Sequence, residues 1–137
     1  MATEILVNDG GAPARIIPIK AGEAVAAGDA LGVTHVASGD VTCNKLDSAD
    51  TSKIFAGVAL TDTVSGGICN MITGRGVICR IQCVDVNGGI GLMAHTVDGS
   101  LTTFADGTGD FNHPVALAME DGALGAGGAG LIKCLIL

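Results

Sequence analysis

The residues that could do chemistry in this chain are few, and their spacing argues against most of what they could do. The five cysteines, Cys43, Cys69, Cys79, Cys83 and Cys134, are an odd number. In a chain with no visible secretion signal that favours reduced thiols. Cys79 and Cys83 share one face of an expected strand. At about 3.3 Å per residue they stand about 13 Å apart, beyond disulfide reach. Cys69, Cys79, Cys83 and Cys134 lie inside apolar runs and are expected as buried small hydrophobes. No Cys-x-x-Cys pair and no histidine pair stands at zinc-ligand spacing. His35 and His95 fall near equivalent places and are expected to cap or pack at strand ends, and His113 precedes Pro114 with no assigned role. No Gly-x-Ser-x-Gly elbow supports a hydrolytic triad.

Two further patterns imitate binding motifs. Asp106, Thr108, Asp110 and Asn112 alternate as oxygens around Ca²⁺ could, but Leu117 stands at the twelfth position, where the bidentate Glu belongs. A plain turn is expected there. The run from Gly125 to Gly130 has the letters of a dinucleotide fingerprint. That motif needs a following helix to present its N-terminus to the pyrophosphate, and the remaining residues read as a strand. Read as a P-loop it fails too, because Leu131 replaces the required Lys. The chain is therefore expected to be no enzyme, with no cofactor and no metal. Arg75, between Gly74 and Gly76, is an exposed-looking cation at a hairpin tip, either solvated or facing a partner's carboxylate.

The elements that would carry these residues are short and extended. Turn signals recur every ~8–12 residues and no 3.6-residue period is sustained, which predicts an all-β fold: an antiparallel β-barrel or sandwich-like body. The organising stretch is Phe55-Ala56-Gly57-Val58-Ala59-Leu60-Thr61-Asp62, echoed by His113-Pro114-Val115-Ala116-Leu117-Ala118-Met119-Glu120. The echo suggests weak internal duplication, with half-repeats at about 21–84 and 85–137 of a single domain. Residues 1–20 read as an extended N-terminal arm, Glu4 to Val7 and Arg15 to Lys20 around an Asn8-Asp9-Gly10-Gly11 turn. Pro18 lacks an N–H, so its strand should be an edge or an arm. Such an arm either closes its own barrel or lies on a neighbour. The last strand, Leu131 to Leu137, is expected to be buried, since an exposed edge of that content would aggregate.

Composition narrows the partners. The 137 residues suit one domain, are 48% hydrophobic, and contain no Trp or Tyr, so the core must be aliphatic. Only 15% are charged, and a contiguous uncharged surface of this kind marks an interface. A net charge of −7 with no Lys/Arg stripe argues against nucleic acid, and no apolar run is long enough for a helical membrane span.

Three segments, Ala27-Gly28-Asp29-Ala30-Leu31-Gly32-Val33, Phe55 to Leu60 and Pro114 to Ala118, together resemble the small capsid cement (decoration) proteins of tailed bacteriophages. Pro114 departs from the Gly expected in the second half, and the cysteine content is high. The resemblance implies a β-barrel-like virion protein that binds the outer surface of an assembled capsid and stabilises it, after assembly in the host cytoplasm. It implies the major capsid protein as partner and self-association as a trimer or dimer. Candidate contacts are Ile5, Val7, Arg15, Ile17 and Ile19 of the arm, with Arg75. The competing reading is a small β-barrel binding or carrier module without catalytic activity.

Overall fold

The computed structural model describes residues 4–7, 10–35, 39, 41–47, 54–84, 86, 91–94, 99–103, 114–120 and 129–137. Among them there is no helix. The strands are β1 (Arg15–Ala21), β2 (Ala30–His35), β3 (Val41–Lys45), β4 (Ile54–Ala59), β5 (Ile68–Thr73), β6 (Ile78–Val84), β7 (Gly91–Ala94), β8 (Leu101–Thr103), β9 (Ala116–Ala118) and β10 (Ala129–Ile136). The all-β expectation holds, and the duplication is sharper than the sequence echo suggests. Strands β1-β3-β2-β4-β5 close one barrel, and β6-β8-β7-β9-β10 close a second in the same order. In each, the first and third strands pair parallel, at Ala21↔Cys43 and Cys83↔Leu101, and every other pair is antiparallel.

The break between the halves falls between Thr73 and Ile78, not at residue 84, because β6 belongs to the second barrel. The turn through Gly74-Arg75-Gly76 is consequently no hairpin. Strand β5 pairs with β1 and β4, while β6 pairs with β10 and β8. A tight glycine turn sets chain reversal but leaves open which strand each arm joins.

The alternative left open for the N-terminal arm resolves toward its own chain. Residues 15–20 pair residue for residue with β5, from Arg15↔Thr73 to Lys20↔Ile68. Pairing with β3 is confined to Lys20 and Ala21, so Pro18 has a strand neighbour on one side only, as its missing N–H requires. Further upstream, Leu6 bridges Cys79 and the Arg80 amide donates to the Ile5 carbonyl at 2.7 Å.

The register accounts for the burial. Leu31, Cys43, Ala59, Cys69 and Met71 fill the first barrel. A larger core holds Cys79, Ile81, Leu92, Leu101 and Ile132 of the second barrel together with Ala30, Leu46, Val58 and Ile72 from the outside of the first. The barrels thus share apolar packing. The last three residues of β4, Gly57 to Ala59, are buried on both faces, Ala59 inward and Val58 toward the second barrel, which suits an apolar run there. Its register against β2 shifts between Leu31 and Gly32, leaving Ala56 as the extra residue. Gly57 sits at this shift because a Cβ there would strike the Ile72 carbonyl and the Met71 side chain. On β6, Arg80 pairs with Lys133 on one face while Cys79 pairs with Cys134 on the other.

Backbone bonds lock the two barrels at one seam. The Gly28 amide donates to the Ala59 carbonyl and the Gln82 amide to the Gly28 carbonyl, both at 2.8 Å. Gly28 has φ +91°, and a Cβ there would collide with Leu131 Cδ2. Gly66, in a surface turn, has φ +82° with open space around it. Gly66→Ala should therefore cost only the left-handed backbone penalty, about 1–2 kcal/mol. Gly28→Ala adds the steric collision and should cost clearly more. Urea unfolding of both variants checks this; equal losses would show that close approach at the seam does not matter.

Candidate interaction surface

Among the described residues, the chemistry-bearing side chains do not converge. All five cysteines are free and buried. Burial pushes the Cys79 thiol up to about 12 and, with Cys69 beside it, Cys43 up to about 11, so neither offers a thiolate at neutral pH. The Cys134 thiol is raised by its contact with Cys83 and by burial. Cys83 and Cys134 donate to the carbonyls of Ile81 and Ile132, at 3.3 and 3.2 Å. No cluster of potential metal ligands occurs among the described residues. The glycine-rich run feeds β10 from Ala129, so no helix follows the described part of the apparent fingerprint. His95, His113 and the alternating oxygens of residues 106–112 lie outside the described residues.

Among the described residues Asp29 is the one acid held in the interior, 8% exposed. Its Oδ2 accepts from the Ala26 amide at 2.8 Å, and its side chain occupies the space a Cβ on Gly99 would need. The Ala30 amide donates to Gly99 and the Gly99 amide to Leu46, each at 2.8 Å, so Asp29 sits where the barrels meet. Desolvation raises its pKa; the Ala26 bond and Lys45 pull it down, while Asp62 and Glu23 push it up. These carboxylates have structural partners: Asp62 accepts from the Ala27 amide at 2.8 Å and Glu23 from the Lys45 amide at 2.7 Å. The group holds the loop around residues 23–29 in place.

What the surface does offer is exposed aliphatic side chains. Of the sequence candidates, Arg15, Ile17 and Arg75 are exposed, and Val7 and Ile19 are half-buried. Ile5 is 4% exposed and packed in the shared core, so it presents no surface to a partner; alternation along residues 4–7 cannot reveal that β6 covers it. Arg15, Ile17 and Ile19 lie together on β1. Arg75 stands at the inter-barrel turn, where the Ala12 amide donates to the Gly76 carbonyl at 2.8 Å. Sequence reasoning missed Ile16, Val41, Ile54, Val64 and Ile68, all exposed. The signal for Ile16 was present, since β1 is aliphatic on both faces; Ile68 becomes significant only through its pairing with Lys20.

A body of two fused five-stranded barrels with identical strand order, closed over aliphatic cores, defines the architectural class. No family model matches the chain, and no curated protein matches it. Among solved structures its fold is similar to that of the head fiber gp8.5 N base of bacteriophage phi29, with TM-score 0.63 and 16% sequence identity, over 91% of this chain and 95% of that one.

The seam carries a pH prediction. Because the Asp29 pKa is raised in the folded chain above its ordinary 3.8, folding favours the protonated form. Its contribution is full below that value and fades as pH rises through the folded pKa. Asp29→Asn keeps an acceptor for Ala26 and removes the titration. The stability of the wild type relative to Asp29→Asn should therefore increase from neutral pH to about pH 4. Parallel stability curves would show that the carboxyl is not held in the interior as described.

Proposed function

We propose that this chain is a structural protein of a phage virion, which seats on the outer surface of the assembled capsid and reinforces it as a cement or decoration protein. The observation that carries this reading is the fold likeness to a head fiber base over nearly the full length of both chains. The physical character of the chain agrees. Its cysteines are buried and Asp29 is bonded to backbone, and this reading takes the surface as the protein's means of action. The surface is poor in charge and carries exposed aliphatic residues, as a protein-binding body would.

In this reading the protein works without catalysis or cofactor. Its partners are the major capsid protein and further copies of itself, as a trimer or dimer. Val7, Arg15, Ile17, Ile19 and Arg75 remain as contacts; Ile5 does not. Deleting residues 1–20 is no test of these contacts, because it removes most of β1 and opens the first barrel.

Mixing the purified protein with expanded, undecorated capsids is the direct experiment. The protein should co-sediment with capsids to a fixed stoichiometry, appear as added density on the outer face, and raise the temperature at which the shells rupture. Protein that stays in the supernatant at saturating concentration, with capsids no more stable, would rule the reading out.

A further inference from the structure

The pairing of β1 with β5 gives that ribbon an outward face that mixes aliphatic and basic side chains. Side chains of paired residues share a face, so Lys20 lies beside Ile68, Pro18 beside Asn70, and Ile16 beside Ile72. Ile72 is covered by the second barrel, while the others are exposed, Ile16 at 43% and Ile68 at 62%. Val64, 74% exposed, extends the strip from the adjoining turn, where the Gly66 amide donates to the Ala21 carbonyl.

The charge of this region runs against that of the chain. Residues 12–21 and 66–77 contain three of the seven basic residues, Arg15, Lys20 and Arg75, and none of the fourteen acidic ones; Glu23 and Asp62, just beyond them, accept from the Lys45 and Ala27 amides. None of the three has an ion-pair partner among the described residues. We propose that the outward face of the β1–β5 ribbon, Ile16, Pro18, Lys20, Ile68 and Val64, is a docking surface for a protein partner whose own surface combines aliphatic side chains with carboxylates. Lys20 meets the carboxylates, and Ile16, Ile68 and Val64 lose water against the aliphatic part.

Charge selects this occupant. A nucleic acid would want many cations and stacking rings, and the strip has one lysine on its face and no aromatic. A second copy applied through the same face would set one acid-free ribbon against another, like charge to like. Strand addition at the free side of β1 is disfavoured because Pro18 has no N–H to donate. Contact through the face satisfies all three conditions.

The choice of probe rests on the capsid-binding reading. Full-length Lys20→Glu/Ile68→Asp, with Met119→Asp as a matched exposed apolar site on the second barrel, is compared with wild type for co-sedimentation with undecorated capsids. The double variant should melt like the wild type and need at least about tenfold more protein for half-saturation. Met119→Asp should bind normally, and wild-type binding should weaken as salt is raised past about 0.15 M. If the double variant is unstable, Lys20→Glu alone must still weaken binding and flatten the salt dependence. Wild-type binding matched by both variants overturns this inference and leaves the capsid reading standing. A wild type that ignores capsids overturns both. A double variant that loses self-association instead would make the ribbon a subunit contact and overturn the proposal as well.

Discussion

The fold depends on the close approach of two backbones at Gly28. Each barrel closes a small core of aliphatic and sulfur side chains, in a chain with no Trp or Tyr. Joining the barrels lets Ala30, Leu46, Val58 and Ile72, which would otherwise lie on an outer surface, enter a common interior with Cys79, Ile81 and Leu92. That gain requires β6 to reach the Gly28 carbonyl while Leu131 fills the space a side chain on Gly28 would take. Asp29 and Gly99 extend the same constraint one residue further. The carboxyl displaces any possible Cβ at Gly99, and the Gly99 amide and carbonyl are both used in bonds to the first barrel. Small residues at this seam are thus the condition for a shared core.

Much of this was legible in the sequence. The all-β class followed from turn spacing and from the lack of a helical period. The unbroken apolar run at Phe55–Leu60 correctly marked a central element, because the last three residues of β4 are covered on both sides. Cys69, Cys79, Cys83 and Cys134 were readable as small hydrophobes from their places in apolar runs, and the buried Cys43 was not. Strand partnership was not readable. Gly74-Arg75-Gly76 has the local chemistry of a hairpin turn, yet it passes the chain between barrels, and only contacts far along the chain decide that. The same limit hid Ile5, whose burial depends on a strand more than seventy residues downstream.

The candidate surface was legible in part for a related reason. An aliphatic strand with Pro18 at its centre signals an edge, and β1 has a single neighbour at that position. Which of its side chains face water is a matter of register against β5. Ile17, a sequence candidate, shares its face with Met71 of the first core, while Ile16 lies on the opposite face. Charge asymmetry in the ribbon emerges only when residues 12–21 and 66–77 are laid side by side. Their separate compositions are unremarkable in a chain this poor in charge.

Strand order also sets a timetable for synthesis. Both barrels close by joining their first strand to their fifth, so each half stays open until its fifth strand exists. The first can shut once Thr73 has left the ribosome. The second holds β6 and β9 without their principal neighbour until Leu135 appears. During that interval the nascent chain carries a finished barrel whose outer wall, Val58 and Ile72 included, is still bare and awaits the later half.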